Sequence, residues 1–346
     1  MSQQASNCEL RTVNCELPSR SDGTIFVTGG AGYIGSICVE ELLNAGYRVV
    51  VFDNLSEGHR DAIDSRADFF QGDLANRDSI QQALHASKAN AVMHFAANAL
   101  VGESMVNPSK YFQNNVAAGL NLLDAMVKEG VKRFVFSSTC ATFGIPARMP
   151  IDETMPQQPI NPYGESKLMF ERILEWYGKI HGMTFVALRY FNAAGASKNF
   201  GEDHRIETHL IPNVLKVALG QKEVVEIYGI DYETPDGSCI RDYIHIFDLA
   251  QAHLLALKAE RSAFYNLGTG GGTSVKEVID ACRRVTGHEI PVVEKPRRPG
   301  DPPRLIGASD KIKKELGWNP RYQNIEEIVK SAWAWHQAHP HGYKKV

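Results

Sequence analysis

A glycine-rich turn near the start of the chain restricts the folds that this sequence can adopt. The short run from Thr24 to Thr28 is apolar and β-branched, as expected of a strand buried on both faces. The spacing Gly-x-x-Gly-x-x-Gly follows at once at Gly29, Gly32 and Gly35, and a helix is predicted from Tyr33 to Asn44. Glycines here allow a tight turn from strand to helix. The segment therefore predicts the first βα unit of a parallel sheet.

The alternation of strand and helix continues along the chain as far as Tyr190. Further strands are predicted at 48–52, 68–71, 91–95, 131–137 and 183–190, and helices at 79–87, 108–128 and 161–181. Strands that alternate with helices form a parallel sheet covered on both faces. We therefore predict an α/β fold, a Rossmann-type doubly wound parallel sheet, with a smaller C-terminal substrate-binding lobe.

Composition excludes several classes of protein. The 346 residues carry a formal net charge of −3, which argues against a broad surface for nucleic acid. No apolar run is long enough to span a bilayer, and the N-terminal residues lack the pattern of a secretory signal. The six cysteines have no Cys-x-x-Cys spacing, which is typical of a chain in a reducing cytoplasm. The twelve histidines show no clustered ligand spacing, so no metal is predicted.

The glycine-rich turn also predicts a ligand. A turn of this kind lets a pyrophosphate approach the backbone at the N-terminus of the following helix. Asp53 ends the second predicted strand, where a carboxylate can accept hydrogen bonds from an adenosine ribose and would repel a 2′-phosphate. We therefore predict NAD rather than NADP as the cofactor.

The predicted domain boundaries follow the end of the regular alternation. Residues 1–22, in which Asn-Cys-Glu-Leu occurs twice, are interpreted as a disordered N-terminal extension. Residues 23–190 are predicted to form the NAD-binding Rossmann domain. Residues 191–346 are predicted to form mainly the substrate lobe, with returns to the Rossmann sheet at 240–246 and 263–267.

A second motif carries chemistry. Tyr163 and Lys167 have the spacing Tyr-x-x-x-Lys, which places both on one face if the segment is helical. An ammonium group beside a phenol favours the phenolate, so Tyr163 can act as a base. Ser137 and Thr139 end a predicted parallel strand, and hydroxyls at that end point into the ligand crevice. A phenol, an amine and a hydroxyl near a nicotinamide suit hydride exchange with a carbinol.

Together these motifs resemble the extended short-chain dehydrogenase/reductase family, and within it the 4-epimerases of UDP-sugars. The resemblance runs from Thr24 to the C-terminus. Besides the glycine turn, its specific strings are Phe52 to Leu55, Gly72 to Leu74, His94 to Ala97, Val101 to Ser104, Phe136 to Ser138, Asn161 to Gly164, Arg189 to Gly195, Asp236 to Gly237, Arg241 to His245 and Arg297 to Asp301. Many separate strings in the family's order are far more specific than any one of them.

The resemblance implies a reaction. By resemblance to the family, Tyr163 of this chain would take the proton from the sugar 4′-hydroxyl, and Thr139 would share that hydrogen bond. Lys167 would bind the nicotinamide ribose and lower the pKa of Tyr163. The UDP-hexose would be oxidised to a 4-keto sugar and then reduced to the opposite configuration at C4. Because there is no net oxidation, NAD would stay bound. The family also implies a homodimer built from the helices at 108–128 and 161–181.

The resemblance further implies the residues that hold each ligand. For NAD it points to Gly29, Gly32, Tyr33, Ile34, Gly35, Asp53, Asn54, Asp73, Leu74, Phe95, Ala96, Ala97, Asn114, Ser137, Tyr163, Lys167 and Tyr190. For the UDP-sugar it points to Thr139, Tyr163, Phe191, Asn192, His209, Leu210, Tyr228, Arg241, Arg298, Asp301 and Leu305. Arginines suit the diphosphate because their planar fork meets two oxygens.

Three positions depart from the family pattern. Ala99 stands where many members carry a lysine, so one cofactor contact is missing or replaced. Thr139 stands where serine is commoner, which keeps the hydroxyl. Leu305 stands where glucose-specific members carry tyrosine, and the smaller side chain leaves room for a 2′-N-acetyl group. UDP-GlcNAc and UDP-GalNAc are therefore possible substrates, although Leu305 is equally consistent with packing alone.

The same residues bear on three other functions. A nucleotide-sugar 4,6-dehydratase would carry Asp-Glu after the catalytic threonine, and Cys140 and Ala141 stand there instead. A 4-epimerase of a UDP-pentose or UDP-uronic acid, acting on UDP-xylose or UDP-glucuronate, stays open as the alternative. A non-catalytic dinucleotide sensor would be expected to lose Tyr163 or Lys167, and both are present.

Overall fold

The large sheet and its helices form the first part of the fold. The computed structural model describes residues 23–298 and 301–344, so the extension predicted at 1–22 lies outside the described residues. The strands are β1 Thr24–Thr28, β2 Arg48–Asp53, β3 Asp68–Gln71, β4 Ala91–His94, β5 Arg133–Thr139, β6 Thr184–Tyr190, β7 Asn192–Ala194, β8 Val225–Tyr228, β9 Ile240–Arg241, β10 Tyr243–His245, β11 Ala263–Leu267, β12 Thr273–Ser274, β13 Val292–Lys295 and β14 Arg304–Leu305. Seven of them pair in parallel in the order β11-β6-β5-β4-β1-β2-β3. This confirms the predicted doubly wound α/β sheet.

The helices cover both faces of this sheet. They are α1 Tyr33–Asn44, α2 Arg77–Ser87, α3 Val101–Val106, α4 Pro108–Tyr111, α5 Gly119–Glu129, α6 Pro162–His181, α7 Leu210–Ala218, α8 Ile246–Ala256, α9 Val275–Thr286, α10 Asp310–Leu316 and α11 Ile325–Ala338. The helix predicted over 108–128 is interrupted, because residues Phe112–Ala118 form a π-helical segment between α4 and α5.

Side-chain alternation along β1 divides the core into two layers. Ile25 and Val27 pack with Ile37 and Leu249 of α1 and α8 on one face. Phe26 packs on the other face with side chains from α2, α5 and α6. Both faces of β1 are therefore buried, which explains why its sequence is a continuous apolar run.

A smaller lobe packs at one end of the large sheet. It contains the paired strands β13 and β8, the three-stranded sheet β12-β9-β14, and the pair β10 and β7. Helices α7, α9 and α11 enclose a third apolar cluster. The return to the large sheet predicted at 263–267 is β11, beside β6. The return predicted at 240–246 was wrong, since that run forms β9 and β10 in the small sheets.

Local capping fixes where α6 begins and ends. Asn161 accepts a hydrogen bond from the Gly164 backbone N–H, and Pro162 stands at the first helical position. Gly182 ends the helix with φ +65°, a left-handed conformation that suits glycine. Tyr163 thus lies in the first turn of α6. Among the described residues, no helix is both long and apolar enough to cross a bilayer.

Candidate active site

The glycine-rich turn lies at the carboxyl edge of the large sheet, pressed against the end of β4. Gly29 has φ +74°, and a Cβ there would lie 2.4 Å from the backbone nitrogen of Ala96. A Cβ on Gly35 would lie 2.1 Å from the Gly29 carbonyl oxygen. A Cβ on Gly32 would come no closer than 3.4 Å to that same oxygen. The turn is therefore tightly packed at Gly29 and Gly35, and less crowded at Gly32, where α1 begins.

Asp53 ends β2 beside this turn. Its carboxylate accepts hydrogen bonds from the backbone N–H groups of Ala31 at 3.0 Å and Leu55 at 2.8 Å. Burial raises the pKa of Asp53, and these two N–H donors oppose that shift. The buried carboxylate is thus held in position by the turn itself.

The remaining residues predicted for NAD surround the turn at the ends of neighbouring strands. Asn54 donates to Asp73 at 2.8 Å, which links the ends of β2 and β3. Asn114 lies in the π-helical segment and donates to Asn115 at 3.0 Å. Tyr33 and Ile34 begin α1, Leu74 follows β3, Phe95, Ala96 and Ala97 follow β4, and Ser137 and Tyr190 lie near the ends of β5 and β6. Ser137 and Tyr190 form a hydrogen bond between their hydroxyls.

Tyr163 and Lys167 lie one helical turn apart on α6, beside the end of β5. The Lys167 ammonium is buried and donates to the Ser137 carbonyl oxygen at 2.8 Å. Thr139 ends β5, and its hydroxyl faces that of Tyr163 closely enough to lower the pKa of the phenol. The three residues predicted to be catalytic are therefore gathered at one place.

The pKa values of this group differ from the sequence-based expectation. Burial raises the pKa of Tyr163 to about 12, despite the opposing hydrogen bond from Thr139. Burial lowers the pKa of Lys167 to about 7, although the Glu171 charge opposes this. The expected lowering of the Tyr163 pKa is thus absent here, because burial outweighs it and the Lys167 ammonium bonds to a carbonyl. A phenolate at this site needs additional positive charge.

A buried ion pair that the sequence reasoning missed lies beneath this group. Glu171 accepts from Arg189 at 2.9 and 2.7 Å, one bond to each oxygen, and from the Ser138 hydroxyl at 2.6 Å. Gln157 donates to it at 3.0 Å. Glu171 lies four residues after Lys167, so the same helical spacing could have placed it on the face of α6 that meets the sheet.

The predicted diphosphate and uridine residues lie in the smaller lobe. Arg241 of β9 forms an ion pair with Asp301. The Arg298 guanidinium lies 4.0 Å from the centre of the Tyr228 ring. An open cavity of about 570 Å³ adjoins them and is lined by Asp231, Tyr232, Glu233, Arg297, Arg298, Asp301 and Pro303. The lining of this cavity carries both acidic and basic side chains, and the Tyr228 ring is nearby. Such surroundings suit a nucleotide.

The residues predicted to bind the hexose lie where the large sheet meets the smaller lobe. Leu305 of β14 pairs with Arg241 and packs with Phe191 against Phe143. Asn192 donates to the Asp242 carbonyl oxygen from both its backbone nitrogen at 3.0 Å and its side chain at 3.1 Å. His209 and Leu210 begin α7, and the His209 side chain faces Glu202 instead of standing free.

Asn115 is a second residue that the sequence reasoning missed. Its side chain accepts from the Asn98 backbone N–H at 2.9 Å and donates to the Asn98 carbonyl oxygen and the Ser166 hydroxyl, both at 3.0 Å. It therefore ties the segment after β4 to α6. The π-helical turn that points Asn115 there has no recognisable sequence signal.

This edge of the sheet fits a dinucleotide. Of the three motif glycines, Gly32 has the most space around it, and α1 has no acidic residue in its first turn to repel a phosphate. Asp53 supplies a positioned carboxylate at the ribose end. At the opposite end of the site, Lys167 supplies a buried ammonium one helical turn from Tyr163.

Comparisons with known proteins agree with this geometry. The chain matches the NAD dependent epimerase/dehydratase family over residues 25–268. It is 51% identical over 326 residues to a UDP-glucose 4-epimerase of Lacticaseibacillus casei, covering 92% of this chain and 98% of that one. A crystal structure of a UDP-glucose 4-epimerase matches with TM-score 0.92 and 51% identity, covering 93% and 100%. That of the Bifidobacterium longum UDP-glucose 4-epimerase in complex with NAD+ and UDP matches with TM-score 0.88 and 39% identity, covering 92% and 100%.

Proposed function

The chain belongs to the NAD dependent epimerase/dehydratase family, and we propose from that premise that it interconverts UDP-glucose and UDP-galactose by inverting C4. It is an NAD-dependent isomerase. The observation that carries the assignment is the gathering of Thr139, Tyr163 and Lys167 at the strand edge that also carries the glycine turn. A 4-epimerase of UDP-hexoses is favoured over the pentose and uronic acid alternatives by the relatives at about half identity.

Tyr163 is proposed to move the proton of the 4′-hydroxyl. Its hydroxyl and that of Thr139 face each other, so both can bond to one sugar oxygen. When bound, NAD would supply a positively charged ring for reversible hydride exchange with C4 of the sugar. Tyr163 then gives the proton back. Because its pKa is about 12 without added charge, proton transfer depends on positive charge next to the phenol.

The other site residues are proposed to bind and orient the two ligands. The amides at the start of α1 would hold the pyrophosphate of NAD, and Asp53 the adenosine ribose. Lys167 would hold the nicotinamide ribose. Arg241 and Arg298 would bind the UDP diphosphate, for which Arg241 must exchange its partner Asp301. Tyr228 would lie against the uracil ring.

Leu305 is proposed to widen the substrate range to UDP-GlcNAc and UDP-GalNAc. It lies beside Phe191, next to Asn192, on the strand that pairs with Arg241. A leucine there ends short of where a tyrosine ring and hydroxyl would reach. The extra space is proposed to admit a 2′-N-acetyl group.

A cytoplasmic homodimer is the proposed form of the protein. The described cysteines Cys38, Cys140, Cys239 and Cys282 are all free thiols, as is usual in a reducing compartment. The outer face of α6 exposes Met169, Trp176 and Ile180, which recur at helical spacing. An exposed apolar stripe on one helix suits packing against the same helix of a second copy.

Incubation with single UDP-sugars tests the function. UDP-glucose, UDP-GlcNAc, UDP-xylose and UDP-glucuronate would each be given separately to the purified protein, and the 4-epimers separated by chromatography. We expect brisk conversion of UDP-glucose without added NAD, and measurable conversion of UDP-GlcNAc. Conversion of UDP-xylose or UDP-glucuronate alone would contradict the hexose assignment.

A further inference from the structure

The loop between β7 and α7 gathers two histidines around a buried carboxylate. Glu202 Oε1 lies 3.3 Å from His204 Nε2 and 2.6 Å from His209 Nδ1, and the three atoms all lie within 4.8 Å of one another. Glu202 is only 5% exposed. Their spacing along the chain matches no familiar metal motif, so the sequence alone does not reveal this group.

The buried carboxylate is the centre of this cluster. Glu202 Oε1 and His204 Nε2 are both buried atoms, and interaction with Glu202 raises the pKa of His209 to about 10. Two imidazole nitrogens and a carboxylate oxygen this close together are also a ligand set that one metal ion can bridge.

The distances match the edges of a small coordination polyhedron. A tetrahedral ion about 2.1 Å from its nitrogen and oxygen ligands places those ligands about 3.4 Å apart. The Glu202–His204 edge is 3.3 Å, and Glu207 Oε1 lies 3.4 Å from His209 Nδ1. The Glu202–His209 edge of 2.6 Å would open by about 0.8 Å on binding. Glu207, whose side chain is 4% exposed, lies beside the three donors and accepts from the His209 backbone N–H at 2.8 Å.

We propose that Glu202, His204 and His209 bind one divalent transition-metal ion, such as Zn²⁺ or Co²⁺. Two imidazoles and one carboxylate suit such ions better than Mg²⁺ or Ca²⁺, which prefer oxygen ligands alone. This departs from the sequence-based prediction of no metal, which looked for regular spacing.

The position of the ion gives it a structural consequence. The His204 ring packs edge-on against Tyr33 at 6.2 Å, and Tyr33 donates to the Gly195 carbonyl oxygen at 2.6 Å. His209 begins α7 of the smaller lobe. A bound ion would thus link the start of α1, in the large sheet, to the start of α7. We expect it to stabilise the contact between the lobes.

Titration of the purified full chain with Co²⁺ alone tests the site. One equivalent should produce the visible absorption of a tetrahedral cobalt ion and raise the melting temperature, and Zn²⁺ should then displace it. His204→Gln changes a residue outside the proposed catalytic and binding groups, and should weaken Co²⁺ binding by at least about tenfold. Glu202→Gln should do the same.

A matched control separates this site from binding at any surface histidine. His85 forms an exposed pair with Glu129 at 2.8 Å, and His85→Gln should leave Co²⁺ binding unchanged. The visible band should depend on His204 and not on His85. Absence of the band at millimolar Co²⁺, or an equal band in His204→Gln with unchanged far-ultraviolet circular dichroism, would overturn the proposal and leave an ion-pair cluster. Epimerase activity of each variant, measured alongside, tests the proposed function separately.

Discussion

At the scale of single residues, the hydroxyl of Tyr163 is the group whose removal most directly tests the chemistry. Tyr163→Phe should lower kcat by about 10²–10⁴-fold, because proton transfer at the 4′-oxygen loses its base. NAD should remain bound, since the aromatic ring keeps the shape of the site. The measurements are steady-state turnover of UDP-galactose and the NAD content of the purified protein.

Tyr177→Phe is the control for that substitution. Tyr177 lies on the same helix, and its hydroxyl donates to Asp124 at 2.6 Å. Losing this partly exposed bond should leave kcat within about twofold, because surface hydrogen bonds contribute little to a distant site. Equal losses in both variants would show that α6 has moved, and that Tyr163 does not act as the base.

Substitution of Leu305, also a single-residue change, tests the selectivity between UDP-GlcNAc and UDP-glucose. Leu305→Tyr adds a ring between Phe191 and the site, so turnover of UDP-GlcNAc should fall at least about tenfold while that of UDP-glucose changes little. Leu305→Met, which conserves volume, should leave both activities near their original values. The ratio of kcat/KM for the two sugars is the readout, and an unchanged ratio in Leu305→Tyr would mean that Leu305 only packs.

At the scale of secondary-structure elements, α6 is joined to β5 and β6 by a buried ion pair. Glu171 and Arg189 are 1% and 4% exposed, and Ser138 adds a third hydrogen bond next to Thr139. Glu171→Gln leaves the Arg189 charge without its partner and should lower the free energy of unfolding by about 3 kcal/mol.

The double variant Glu171→Gln with Arg189→Gln provides the matching control. It removes both charges, so it should be less destabilised than the sum of the two single variants. Urea unfolding of the four proteins measures this coupling. Additive effects would mean that the pair does not hold α6 on the sheet.

The elements also show how far sequence reasoning reaches. The helix from Tyr33 and the strand at 263–267 follow from apolar periodicity and glycine, which act locally. The proximity of the residues proposed to be catalytic follows from two facts: parallel strands end at one edge, and Tyr163 and Lys167 are four residues apart. The run at 240–246 is apolar as a strand must be, but periodicity does not say which sheet it joins. Glu202 and His209 meet only because a loop folds back, which no spacing rule describes.

At the scale of the whole molecule, α6 has a second role if the chain dimerises. Its inner face carries Tyr163 and Lys167, and its outer face exposes Trp176 at 60% and Ile180 at 68%. The double variant Trp176→Glu and Ile180→Glu places charges on the apolar stripe and should give a monomer. Sedimentation velocity should then report 38.3 kDa, against twice that mass for the original chain.

Val292→Glu is the control for the interface. Val292 is 38% exposed on β13 of the smaller lobe, away from α6, so its charge should leave the dimer intact. A monomeric original chain, or equal dissociation by both changes, would contradict an interface on α6.

Buried histidines set the response of the whole molecule to acid. Burial lowers the pKa of His94 to about 3, with a smaller contribution from the Lys167 charge, and lowers those of His245 and His253 to about 4. Their ordinary value is 6.5, so below that pH the unfolded chain binds protons that the folded chain refuses. Burial also raises the pKa of Asp242 to about 6, so the folded chain binds one proton that the unfolded chain lacks. For these four groups the net difference is about two protons between pH 5 and 6.

The free energy of unfolding should therefore fall on acidification, by up to about 2.7 kcal/mol per pH unit. Urea unfolding at pH 5.0 and 6.0 measures this slope. His94→Phe replaces a ring that stacks on Phe136 at 5.9 Å with another aromatic ring, and removes one of the protons taken up on unfolding. The slope in that variant should be about half the original, because one of two net protons is gone. A slope that is flat, or equal in both proteins, would mean that His94 is protonated in the folded chain.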